Sequence, residues 1–184
     1  MSIRTITIAM TGLLVAGGAG AGQTHDASRD HHSAYAEQAG SGIAGLSLRE
    51  IEQLENGEGM GLARAAEMNR YPGPRHVLGA AEELGLSDEQ RRETERIFDD
   101  MHAEAVAIGK RIIEKERILS QRFAHRHVDE DVLRQLTAAI ARLQGELRLA
   151  HLRAHLRMEE LLSGEQIARY HELRGYGSAR DPGR

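Results

Sequence analysis

The chain contains no cysteine and no tryptophan, only two phenylalanines and only three prolines among its 184 residues. Without thiols it has no disulfide framework, no thiolate metal site and no cysteine nucleophile, so its folding does not depend on oxidation. Charge of neither sign is concentrated: 24 Lys+Arg stand against 28 Asp+Glu, a balance that offers no electrostatic footprint for nucleic acid. Runs of β-branched residues are few, whereas Ala, Leu, Glu and Arg are abundant. That composition predicts an all-α fold.

Residues 1–21 read as a cleavable secretory signal peptide. Arg4 supplies the positive start, the run from Ile6 to Ala16 is a short apolar stretch, and Ala19-Gly20-Ala21 offers small residues for cleavage. The apolar stretch is too short for a good membrane span, and no cysteine is available for lipid attachment. Removal of this segment takes away one basic residue, Arg4, and leaves 23 Lys+Arg against 28 Asp+Glu, a net charge of −5. A soluble periplasmic protein is expected.

Residues 22–46 form a polar segment with His25, His31 and His32 and no hydrophobic period, expected to be flexible. Residues 47–85 are expected to hold short helices. Ser47 with Glu50 makes a capping box for a first helix that Gly57 ends. A second helix is expected over Leu62–Asn69. Pro74, after the Tyr71-Pro72-Gly73 turn, suits the first position of a third, with Val77, Leu78, Ala81 and Leu84 on one face and a stop at Gly85.

Two near-copies then frame the rest of the chain: Leu86-Ser87-Asp88-Glu89-Gln90 and Leu162-Ser163-Gly164-Glu165-Gln166. In each, the serine can accept from the backbone N–H three residues on while the glutamine reaches back, which marks a helix start. The first opens a long helix over Asp88–Ala124, with Ile97, Met101, Ala105, Ile108, Ile112, Leu119 and Phe123 on one stripe. After the short break His125-Arg126-His127-Val128, Asp129 caps a second long helix to Leu161, with a stripe from Leu136 through Ile140, Leu143, Leu147, Ala150 and Ala154 to Leu161. Two such stripes predict an antiparallel hairpin with arms of about 50 Å, hence an elongated protomer. A last helix, Gly164–Leu173, precedes a disordered tail over 175–184.

Leu149, Leu152 and Leu156 lie on the far side of the second arm from its main stripe, as Val106 and Ile113 do on the first. Either the short helices cover them, or they form a dimer interface or a surface for apolar segments of other proteins. His151 and His155 are four apart on a helix, a spacing that can grip a transition metal. The hairpin register brings His102 within about one turn of the pair. Imidazoles of this kind suit Zn, Ni, Co or Cu. The helical wheel puts His151 at the edge of the apolar stripe and His155 further towards solvent, as ordinary boundary residues also would be.

Catalytic motifs are missing. The glutamate of a His-Glu-x-x-His helix would fall at position 152, which is leucine. The Gly57-x-Gly59-x-Gly61 cluster follows no strand, and Gly109-Lys110 has no upstream glycine at phosphate-loop distance. No enzymatic activity and no required cofactor are expected.

The paired motifs, the preceding signal and the long hairpin resemble the periplasmic Spy/CpxP family, named for paired Leu-Thr-x-x-Gln motifs. Both copies here carry Ser for Thr, which keeps the capping hydroxyl. The resemblance covers roughly Leu84–Leu173. It implies a hook-like protomer that forms a homodimer, and an ATP-independent chaperone or envelope-stress protein whose partners are unfolded clients or an envelope signalling protein. The related CnrX- and ZraP-like proteins sense or bind transition metals through His-rich helices, and the segment from His151 to His155 looks like that kind of site. The short helices of 47–85 are not part of the Spy-like core; the sequence leaves open whether they cover the hairpin surface, where they would compete with client binding.

Overall fold

The computed structural model describes residues 42–176. Six helices follow in order: α1 (Leu48–Glu55), α2 (Arg64–Glu67), α3 (Pro74–Gly79), α4 (Asp88–Ala124), α5 (Glu130–Leu161) and α6 (Gly164–Leu173). No strand occurs among the described residues, and no helix among them is long and apolar enough to cross a membrane. The fold is all-α. The signal-like segment, His25, His31, His32 and the tail beyond Tyr176 lie outside the described residues.

Local chemistry accounts for the helix ends. Ser47, Ser87 and Ser163 each make a complete capping box, with Glu50, Gln90 and Gln166 respectively. Asp129 accepts from the Val132 amide at 2.8 Å and opens α5. At the hairpin tip, the amides of Arg126 and His127 turn back to the carbonyls of Phe123 and Arg122, a Schellman closure with Arg126 in the left-handed region at φ 56°.

α4 and α5 pack antiparallel, and charged pairs record their register. Arg111 meets Glu146, Glu104 meets Arg153, and Asp100 meets Arg157. As one partner steps down by seven and then four, the other steps up by the same amount. These pairs are largely solvent-exposed and contribute little energy. The apolar seam decides the register, with Ile97, Ala105, Ile108 and Ile112 buried on α4 and Ile140, Leu143, Leu147, Ala150, Ala154 and Met158 on α5. Burying a side chain of this size is worth about 2 kcal/mol.

Two apolar clusters sit along that seam. The one nearer the hairpin tip joins α1 to the arms through Leu54, Ile108, Ile112 and Leu143. The other, at the open end, gathers Val77 and Leu84 from the N-terminal segment with Ile97, Met158, Ile167 and Tyr170. Gly109 is where α1 lands: a Cβ there would collide with the Leu54 carbonyl oxygen.

Four local expectations are corrected. The second short helix is a single turn, Arg64–Glu67, because Ala63 offers no side-chain cap. The third ends at Gly79 and not at Gly85; turns carry Ala81 and Leu84 into the core instead. Phe123 is 55 % exposed, since among the described residues no third element covers the hairpin tip. Ile43, read as part of the flexible segment, is buried among Leu54 and Ile113, and the next amide donates to Ser120 Oγ at 2.7 Å.

Candidate functional sites

The off-stripe apolar residues separate into two groups. On α4, Ile113 is buried and Val106 half-buried, because the end of α1 and Gly57 lie against that face. On α5 two of the corresponding residues stay open. Leu149 and Leu156 are 52 % and 53 % exposed, with half-buried Leu152 between them. At 100° per residue these three point directly away from the core stripe of Leu143, Leu147, Ala154 and Met158. The exposed residues Arg148 and Glu159 border the strip on one side, Arg153 and Glu160 on the other. The result is an apolar ridge with a charged rim on a rigid helix.

The three histidines take a different position. His102, His151 and His155 line one cleft of about 750 Å³ between the segment Asn56–His76 and the two arms, with Phe98, Met60 and Met101. Both His151 and His155 are buried, at 6 % and 8 % exposure. The wheel expected His155 to approach solvent; the Tyr71-Pro72-Gly73 turn sits over it instead. His155 Nδ1 lies 2.7 Å from the Tyr71 carbonyl oxygen, and a Cβ at Gly73 would touch its ring at 3.0 Å. His102 Nε2 lies 3.4 Å from the Asn56 carbonyl. His151 Nε2 is buried without a partner, and burial, with His155 and His102 nearby, holds its pKa below the usual imidazole value.

Two of these rings thus face backbone carbonyls of the covering segment. Among the described residues, no three His, Asp or Glu side chains are arranged to hold a metal ion.

Sequence reasoning did not single out Glu67, the polar centre of this region. Its Oε1 accepts from the Tyr170 hydroxyl at 2.5 Å and lies 3.4 Å from Arg174 Nε and 3.5 Å from the Tyr176 hydroxyl. His76 and His155 approach the same carboxylate at 3.8 Å. The Tyr170 hydroxyl also accepts from the Gly73 amide at 3.4 Å, and its pKa is driven up by burial and by Glu67. The partners lie up to about a hundred residues away in the chain, and no local spacing marks them. A lone Glu in a four-residue helix carries no pattern of its own.

Comparison of the chain with family models, with curated proteins and with solved structures yields no significant match in any of the three.

Proposed function

We propose that this protein is a periplasmic, ATP-independent chaperone of the Spy/CpxP kind, which holds apolar segments of unfolded proteins on the outer face of α5. The observation that carries this reading is the strip of exposed Leu149 and Leu156 with half-buried Leu152 between them, within its rim of mixed charge. The paired serine-glutamine motifs and the hairpin between them agree with it.

Magnitudes favour transient holding. A fully buried leucine contributes about 2 kcal/mol, so three partly exposed leucines offer about 3 kcal/mol before the cost of association is counted. One strip alone binds weakly and releases quickly, which suits a holder that uses no ATP. A homodimer presenting two strips would gain avidity.

The test is suppression of aggregation of a denatured client by the full chain, without nucleotide, beside the variant Leu149→Gln/Leu152→Gln/Leu156→Gln. Substitutions at the exposed Leu149 and Leu156 shift stability by about 0.5 kcal/mol or less each and the half-buried Leu152 costs more, so helicity is checked alongside and should persist while suppression falls. Undiminished suppression by the folded variant would refute the reading. Calorimetric titration with Zn, Ni, Co and Cu separates the alternative: tight stoichiometric binding lost in His151→Ala/His155→Ala would replace the chaperone by a metal-responsive protein.

A further inference from the structure

The segment Gly57–Arg70 is attached to the fold in a different way from its neighbours. α1 buries Leu54 and α3 buries Val77, whereas α2 buries no residue. The segment's apolar attachments are Leu62, partly buried against the tip-side cluster, and its first residue Gly57, which lies against Val106 and Ala105 of α4. Its main polar attachment is the Glu67 carboxylate, gripped by Tyr170, Arg174 and Tyr176. Left-handed residues stand at both ends: Gly57, Met60 and Gly61 before α2, and Arg70 after it. Met60 and Arg70 bear side chains in a region that L-residues seldom adopt, so these ends are held in place by their surroundings.

Beneath the segment lies the 750 Å³ cleft, with Met60 and Met68 on the covering wall and Phe98 and Met101 on the α4 wall. Methionine side chains adapt to apolar partners of many shapes. We propose that Gly57–Arg70 is a strap latched by Glu67 to Tyr170, and that release of this latch opens the cleft to apolar side chains of a bound polypeptide. The identity of the occupant rests on the chaperone reading; the strap and its latch do not.

The Tyr170–Glu67 bond suits a latch. The tyrosine is fully buried and the glutamate side chain is 12 % exposed, so a charge-assisted bond is made where water competes little. The Tyr170 ring is packed independently, against Val77, Ile97 and Met158 in the open-end cluster. Removal of the hydroxyl alone therefore leaves the core filled.

Amide exchange followed by mass spectrometry on the full chain tests this, with Tyr170→Phe and Glu67→Ala variants. The amides of Glu67 and Met68 bond to Ala63 and Arg64 within the strap itself. A four-residue helix does not persist undocked, so release is read directly as exchange. In both variants, peptides covering 62–69 should exchange about tenfold faster, with α4 and α5 unchanged and binding of an apolar fluorescent dye increased. Unchanged exchange over 62–69 would overturn the latch, as would equal acceleration through α4 and α5. Faster strap exchange without added dye binding would overturn the opening of the cleft. None of these readouts involves a client, so failure of the Leu149–Leu156 surface would leave them standing.

Discussion

Gln90 and Gln166, 76 residues apart, face each other as a reciprocal amide pair. Gln90 Nε2 donates to Gln166 Oε1 at 2.9 Å, and Gln166 Nε2 donates back to Gln90 Oε1 at 3.0 Å. Each Oε1 also accepts from its own cap amide, of Ser87 or Ser163, at 3.1 and 3.0 Å. The spare hydrogens reach the Leu161 carbonyl from one side and those of Leu84 and Gly85 from the other. The two near-copies are therefore one brace, joining the starts of α4 and α6 to the end of α5. This gives a physical reason for two copies at this separation: the hairpin returns the chain to its own beginning.

Because each glutamine both donates and accepts, a change at one strands the other. Gln90→Ala should cost about 1–3 kcal/mol, read as a lower denaturation midpoint at unchanged slope. Gln90→Glu keeps the acceptor for Ser87 but cannot donate to Gln166 or Leu161, and should fall between alanine and the native residue. A Gln90→Ala midpoint equal to that of the native chain would show that the pair carries no net stability.

Two glycines in the long arms should respond in opposite directions. At Gly109 a methyl group would collide with the Leu54 carbonyl, which is backbone and cannot swing aside. Gly109→Ala should destabilise by about 1–3 kcal/mol and loosen α1, with faster amide exchange over Leu48–Glu55. At Gly145 nothing lies within 4 Å of the added carbon, and the helix interior favours alanine by about 1 kcal/mol. Thermal melts of the two variants should bracket the native chain; a stabilised Gly109→Ala would mean that α1 does not bear on α4.

The sequence made the long elements readable because their signals are local. Ser87 with Gln90, Ser163 with Gln166, and Asp129 mark helix starts by spacing alone, and the stripes on α4 and α5 repeat often enough to set faces and register. What it left obscure depends on tertiary cover. Leu149 and Ile113 look alike on a helical wheel, yet α1 covers one and nothing described covers the other. His155 reads as a boundary residue until the Tyr71–Gly73 turn is laid over it. Phe123 continues its stripe in sequence but has run past the last described element able to bury it.

The hairpin tip offers a stabilising change. Arg126 occupies the left-handed position of the Schellman closure, where glycine carries no Cβ penalty. Arg126→Gly should raise stability by about 0.5–1 kcal/mol, the strain relieved at this position exceeding the entropy gained by the unfolded chain. The residue is exposed, so an unchanged or lower melting temperature would place the controlling interaction elsewhere in the loop.

Acidification should weaken the fold through two buried imidazoles. His151 and His171 each hide an Nε2 without a partner. Burial first lowers both pKa values in the folded state, followed for His151 by the nearby His155 and His102 and for His171 by Arg70, opposed by Glu67. A histidine with a depressed folded pKa binds more protons when unfolded, so its stabilising contribution is complete above the unfolded value of about 6.5 and is lost as pH falls through and below it. Glu116 acts with the opposite sign: burial and then Glu50 raise its pKa, so it favours the folded state as its carboxyl protonates, nearer the carboxylate range. The melting temperature should therefore decline from pH 7.5 to about pH 5.5. In His151→Gln/His171→Gln that slope should flatten, because neither replacement titrates. A decline of equal slope in the double variant would assign the acid sensitivity to other groups.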